Sequence, residues 1–162
     1  MVRIFSVGTA TLISLMAGLS APTILADSRA VNQEAITVRL SLGSDINKKR
    51  VFIPDQLILE TGKRYKLVID NPSSEVHELD APDLVAAVES FHVKIAEYFS
   101  PGAPIIAKVV GTPAEIEINP GGAVEWEFVT KSPGIFSMIC DVEDQNGKTH
   151  TSLGMKGAII VN

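Results

Sequence analysis

The chain has 162 residues, of which 46% are hydrophobic, and its 14 basic and 19 acidic side chains give a formal net charge of −5. This length favours a single domain with a sizeable hydrophobic core. The acidic balance argues against nucleic acid or an anionic lipid surface as a partner, because both are usually bound by basic patches.

The beginning of the chain has the composition of an export signal. A single arginine precedes an uncharged, apolar stretch that ends at Ala26. We expect residues 1–26 to be a signal peptide, with cleavage after Ala26 or as late as Ala30; the alternative is an uncleaved membrane anchor. A linker over 27–34 and one folded domain over 35–162 would follow. The predicted location is therefore periplasmic or otherwise exported, with no membrane attachment after signal cleavage.

Alternating apolar and polar residues predict strands in the first part of this domain. Residues 35–42 alternate strictly, and residues 55–71 are typical of two strands joined by a turn. A short helix is predicted over 82–90, because proline is tolerated in a first helical turn. The next segment, 91–99, also fits the periodicity of a strand, so the end of the helix stays open. Residues 105–111 form a further short strand candidate.

The last third of the chain has clearer strand signals. Turns rich in proline and glycine separate four apolar segments over 114–118, 123–130, 135–140 and 157–162. Seven or eight short strands with such turns between them predict an antiparallel sandwich or barrel.

One cysteine and three histidines are the residues that could carry chemistry. In an exported protein a single cysteine has no partner for an internal disulfide, so Cys140 is either a buried core residue or a metal-bound thiolate. His77, His150 and Met155 lie at predicted strand ends. Two imidazoles, one thiolate and a weak thioether suit both copper(I) and copper(II), whereas zinc prefers a fourth strong ligand. We expect His92 to be a structural or surface histidine outside this set.

Three motifs follow one another in the last third of the chain: PGGAVEWEF, SPGIFSMIC and HTSLGMKGAIIVN. They resemble the cupredoxins, the small type 1 copper proteins that include plastocyanins, azurins and pseudoazurins, and the resemblance covers most of residues 35–162. It implies an all-β, Greek-key antiparallel β-sandwich or barrel with one short helix. It also implies one copper ion per chain, with His77, Cys140 and His150 as equatorial ligands and Met155 as the axial ligand.

Two features depart from the family pattern. Nine residues, DVEDQNGKT, separate Cys140 from His150, where familiar members have only a few. We expect this acidic insert to replace or cover the hydrophobic collar that usually surrounds the histidine. Glu78 follows His77 where many relatives have asparagine. A carboxylate near the thiolate is expected to favour copper(II) and to lower the reduction potential.

The sequence favours a protein that is not an enzyme. It has no Gly-x-Ser-x-Gly element and no His-x-His pair of the kind that the extra coppers of an oxidase would need. We expect an exported one-electron carrier that cycles Cu(I)/Cu(II) between redox partners such as a cytochrome or a terminal oxidase. The alternatives are a periplasmic copper carrier that serves a copper acceptor protein, and a cupredoxin-like module without metal. We expect a monomer that binds no nucleic acid.

Overall fold

The computed structural model describes residues 33–46, 49–96, 105–109 and 112–162. The predicted signal peptide and most of the predicted linker lie outside these residues. The strands of the described part, numbered in chain order, are β1 (Ile36–Ser44), β2 (Lys49–Ile53), β3 (Gln56–Leu59), β4 (Arg64–Asp70), β5 (His77–Asp80), β6 (Val88–Ala96), β7 (Ile105–Val109), β8 (Glu115–Ile118), β9 (Ala123–Thr130), β10 (Gly134–Ile139) and β11 (Lys156–Val161).

These strands form two sheets that pack face to face. One sheet has the order β2-β1-β4-β9-β6-β7, and the other has the order β3-β11-β10-β5-β8. The predicted all-β sandwich is confirmed, but its sheets are mixed and not purely antiparallel. β1 pairs with β4 in parallel, and so does β3 with β11. The parallel pairs arise because the chain crosses to the second sheet for β3 before it returns as β4.

The predicted helix is shorter than expected. A 3-10 helix runs from Pro82 to Ala87, with the proline in its first turn, and β6 begins at the next residue. From Val88 onward the backbone pairs with β9, so long-range sheet pairing prevails over local helix propensity. The open segment 91–99 is therefore a strand as far as Ala96, and its last residues lie outside the described part.

Two strands were not predicted, because neither has a recognisable alternation. β2 has the sequence KRVFI and begins with two basic residues, as is common in edge strands. β5 has the sequence HELD, and the sequence pattern places His77 after the end of the preceding strand and not in a strand of its own. All but the last of its residues are buried, so β5 is a polar strand in the interior of the protein.

The hydrophobic core lies between the sheets. Alternate residues of β4 and β9 face inward, and the Trp126 and Phe128 rings of β9 pack at a centroid distance of 4.7 Å. Met138 of β10 is also completely buried. None of the helices in the described residues is long and apolar enough to cross a membrane.

An ionic group lies on the outer face of the six-stranded sheet. Glu127 is only 7% exposed, and its carboxylate pairs with Arg64 (2.8 Å) and approaches Nε2 of His92 (3.3 Å). Phe91 lies under the Arg64 guanidinium at 4.7 Å. This arrangement gives His92 a structural environment of the kind predicted for it.

Candidate metal centre

Cys140 directly follows β10, and hydrogen bonds with Thr151 and with Glu78 of β5 hold it there. Its backbone N–H donates to the hydroxyl of Thr151 (2.9 Å), and that hydroxyl donates to the Cys140 carbonyl (2.9 Å). The same carbonyl accepts the backbone N–H of Thr151 (2.8 Å). From β5, the backbone N–H of Glu78 donates to the sulfur at 3.4 Å. The completely buried thiol is therefore held by its own strand end and by the neighbouring strand.

His77 opens β5, and side chains fix the loop before it. The Asn71 amide donates to the carbonyls of Glu75 and Ile118, both at 2.8 Å. Its oxygen accepts the backbone N–H and the hydroxyl of Ser73. Pairing with β8 places His77 opposite Ile118. The imidazole of His77 thus lies in the interior, at the end of a loop whose polar groups hydrogen-bond to one another and to the neighbouring strand.

Gly43 in β1 provides the space that the His77 ring occupies. Its φ is +75°, and a Cβ built on it would lie 2.3 Å from Nε2 and 2.6 Å from Cδ2 of His77. Both the conformation and the close contact require glycine. We did not predict this role, although a glycine inside a strand is a known sign of close approach.

The nine-residue insert forms a closed hairpin, which we call the inserted hairpin (residues 141–149). The backbone N–H of His150 donates to the Val142 carbonyl (2.9 Å), which closes its base. At its tip, Oδ1 of Asp144 accepts the backbone N–H groups of Asn146 (2.8 Å) and Lys148 (3.0 Å). The chain therefore leaves the site and returns to it within the insert.

Met155 follows the turn after His150. Its backbone N–H donates to the His150 carbonyl (2.9 Å), and its side chain is completely buried. Gly154 between them has a φ of +106°, a left-handed conformation that favours glycine. The turn thus places Met155 directly beside the histidine.

Three donor atoms converge at this end of the sandwich. The Nδ1 atoms of His77 and His150 lie 3.0 Å apart, and the sulfur of Cys140 lies 3.9 and 3.5 Å from them. The point in their plane that is equidistant from the three atoms lies about 2 Å from each. This distance matches the roughly 2.0–2.3 Å bonds that zinc, a first-row metal like copper, makes to nitrogen and sulfur. With Met155, the donor set suits one copper ion in either oxidation state. His92 lies in the other sheet and is not part of this group.

Burial controls the protonation of the three side chains. It lowers the pKa of His77 to about 4, with a further contribution from nearby His150. It also lowers the pKa of His150, assisted by the charge of Arg50. Burial raises the pKa of the Cys140 thiol, and the hydrogen bond from Glu78 acts in the opposite direction. Both imidazoles are therefore neutral at neutral pH, which is the form that binds a metal.

Glu78 occupies a buried position beside the thiol. Its carboxylate accepts the backbone N–H of Asp141, so it joins β5 to the start of the inserted hairpin. Burial raises the pKa of the Glu78 carboxyl, and the neighbouring acids Glu115 and Asp80 raise it further, although the hydrogen bond from Asp141 lowers it. The backbone N–H of Glu78 therefore donates a hydrogen bond to the sulfur, while the Glu78 side chain places a carboxyl group near it.

A surface cavity of about 500 Å³ lies on the outer side of His150. The loop before His77 and the inserted hairpin form its walls. Its lining is mainly polar and comprises Arg50, Glu75, Val76, Val142, Glu143, Asp144, Gln145, Asn146 and His150. The expectation that the insert makes this face polar is confirmed.

No protein-family model and no curated protein matches the chain. Solved structures do. A multicopper oxidase from Campylobacter jejuni gives a TM-score of 0.51 at 13% identity, over 80% of this chain and 30% of that one. The McoA multicopper oxidase of Aquifex aeolicus gives 0.50 at 16% identity, over 79% and 29%. Auracyanin A, a "blue" copper protein from Chloroflexus aurantiacus, gives 0.46 at 17% identity, over 80% and 100%.

At such identities the likeness concerns the fold, and the site is judged on its own donor atoms. The fold is similar to that of the two multicopper oxidases, and the buried histidines, cysteine and methionine lie together at one end of the two sheets. The chain therefore has the cupredoxin fold, with a set of His77, Cys140, His150 and Met155 that fits a type 1 copper site.

Proposed function

We propose that this chain is an exported mononuclear copper protein that carries single electrons. The observation that carries the proposal is the buried group of His77, Cys140 and His150, whose ligand atoms all lie within 4.8 Å of one another. We assign these three as equatorial ligands and Met155 as the axial ligand, the arrangement used by blue-copper electron-transfer sites. When bound, copper would supply a one-electron Cu(I)/Cu(II) couple. Export is inferred from the apolar, uncharged stretch that ends at Ala26.

The residues around the donor atoms prepare the site for this role. Thr151 and Glu78 hold Cys140 through backbone hydrogen bonds, and the closed base of the inserted hairpin holds His150. None of these contacts uses a metal, so the donor positions are set by the fold. A site fixed in this way rearranges little when its charge changes, which is what fast electron transfer requires.

We propose that electrons enter and leave through His150. Its ring is buried on the copper side and borders the surface cavity on the other. Glu75, Glu143 and Asp144 place carboxylates around that cavity. A redox partner such as a cytochrome or terminal oxidase is therefore expected to dock there with basic residues, aided by the net charge of −5. The chain itself is proposed to act as a monomer, without nucleic acid or membrane contacts.

The same cavity favours one alternative function. A polar, carboxylate-lined opening beside a ligand histidine also suits transfer of copper to an acceptor protein. An electron carrier should exchange electrons with itself rapidly and release copper slowly, whereas a copper carrier should do the reverse. The described residues hold one group of three metal-binding side chains, so a single copper ion is proposed and not the several copper ions of a multicopper oxidase.

Copper loading of the purified protein tests the proposed function. We expect one equivalent of Cu²⁺ to produce an intense visible thiolate-to-copper absorption band, a single Cu²⁺ species by electron paramagnetic resonance (EPR), and a reversible one-electron couple by voltammetry. The rate of reduction by a basic cytochrome should fall as ionic strength rises. Absence of the absorption band would contradict the ligand assignment, and copper transfer faster than electron exchange would favour the copper carrier.

The Glu78→Gln variant tests the influence of the carboxylate on the couple. Removing negative charge beside the sulfur should raise the reduction potential, by about 60 mV if copper(I) is favoured tenfold. Glu117→Gln is the matched control, because Glu117 is exposed and lies opposite Glu78 on β8. Voltammetry at pH 7 provides the measurement. Equal shifts in the two variants would show that Glu78 acts only through the overall charge of this face.

A further inference from the structure

Arg50 connects the two segments that carry the histidines of the metal centre. It lies in β2, between neighbours that pair with β1. Its Nε and one terminal nitrogen donate to the two carboxylate oxygens of Glu75, at 2.8 and 2.7 Å. Its other terminal nitrogen lies 3.9 Å from Oδ2 of Asp144 at the tip of the inserted hairpin. We call this three-residue contact the Arg50 bridge.

Each end of the Arg50 bridge is close to a histidine. Glu75 precedes His77 by two residues in a loop held by internal hydrogen bonds, so fixing Glu75 fixes the entry to β5. Asp144 belongs to the hairpin that closes directly onto His150. The separation of the two segments is therefore set partly by one guanidinium group.

The geometry of Asp144 divides its carboxylate between two tasks. Oδ1 accepts the backbone N–H groups of Asn146 and Lys148 and so shapes the hairpin tip. Oδ2 faces Arg50. The Asp144 side chain is only 12% exposed and that of Arg50 is 25% exposed, so the contact is shielded from much of the solvent. Hydrogen bonds close the hairpin at its tip and at its base, so a contact that fixes Asp144 also limits the movement of His150.

We propose that Arg50 is a positioning residue of the metal centre: it fixes the inserted hairpin against the loop that leads to His77, and so keeps His150 at its ligand position. This inference rests on the proposed copper binding and adds to it a residue that touches no donor atom. Its fork-shaped group bonds both oxygens of one carboxylate while a third nitrogen faces the hairpin, which a lysine cannot reproduce.

The test compares Arg50→Gln with Arg50→Lys in the copper-loaded protein. Both variants should release copper to excess EDTA roughly fivefold faster than the unmodified protein, and both should show more than one Cu²⁺ species by EPR. Arg50→Lys keeps the positive charge but cannot donate to both oxygens of Glu75 at once. It therefore separates the effect of positioning from the effect of charge. Asp144→Asn should also accelerate release, and adding Arg50→Gln to it should change the rate less than Arg50→Gln does alone.

Lys131→Gln is the matched control for net charge. Lys131 is exposed and follows β9 at the end of the sandwich remote from the site, so its release rate and EPR spectrum should equal those of the unmodified protein. Thermal melting without copper identifies any variant that is simply unfolded, in which case Asp144→Asn supplies the result. Unmodified behaviour of Arg50→Lys, or of Arg50→Gln, would overturn this inference alone. Failure of the unmodified protein to bind copper would overturn the proposed function and this inference together.

Discussion

The Cys140→Ser variant is expected to lose the visible absorption of the copper-loaded protein completely and to bind copper at least roughly 100-fold more weakly. The band arises from the thiolate, which a serine hydroxyl does not replace. Loss of a residue that merely orients a metal ligand typically weakens binding by about 10- to 100-fold, so loss of the ligand itself should weaken it more. Absorption spectroscopy and competition with a chelator provide the measurements.

The fold should survive this substitution. Serine is close in size to cysteine, and the backbone N–H of Glu78 that reaches the sulfur can donate to the hydroxyl instead. We expect the metal-free variant to lose about 1 kcal/mol of unfolding free energy, measured by denaturant titration. His92→Gln is the control outside the site and should keep the absorption band. An intense band in Cys140→Ser would show that the thiolate is not a ligand and would exclude the proposed function.

The Gly43→Ala variant is expected to lose His77 as a ligand. A methyl group at this position would overlap Nε2 and Cδ2 of His77, at 2.3 and 2.6 Å, so the ring must move. Copper affinity should fall by at least roughly 100-fold, as expected for a lost ligand, and the EPR spectrum should change to that of a site with one nitrogen ligand fewer. The left-handed backbone of Gly43 adds about 1–2 kcal/mol of strain for a non-glycine residue.

Gly62→Ala separates these two effects. Gly62 has a φ of +76°, almost equal to the +75° of Gly43, but no atom lies within 4 Å of a Cβ built there. Both variants should lose a similar amount of stability from strain in the left-handed region, whereas only Gly43→Ala should alter the copper site. If the two variants bound copper equally well, the space beside Gly43 would have no role in placing His77.

Three of the four proposed ligands lie in short motifs of the last third of the chain. Cys140 follows β10 and Met155 precedes β11, and both of these strands were predicted from the sequence. His77 could be assigned only by resemblance, since β5 has no apolar alternation. The structure places its Nδ1 3.0 Å from that of His150.

Other features depended on contacts between distant parts of the chain. The parallel pairing of β1 with β4 follows from the route between the sheets, which local periodicity does not encode. Glu127 alternates with the inward-facing Trp126 and Phe128, yet its contacts with Arg64 and His92 allow it to be buried. Arg50 has no sequence signal of any kind, because its partners lie 25 and 94 positions away. Such roles emerge only when the strands are assembled.

The closed base of the inserted hairpin has a consequence for how this protein could diversify. Backbone hydrogen bonds between Cys140 and Thr151 and between Val142 and His150 define the ligand geometry before the tip of the hairpin begins. Apart from Asp144, which contacts Arg50, the tip can therefore vary in length and charge without moving Cys140 or His150. The tip is in effect an exchangeable recognition element beside the donor atoms, through which the proposed electron carrier could be adapted to new partners.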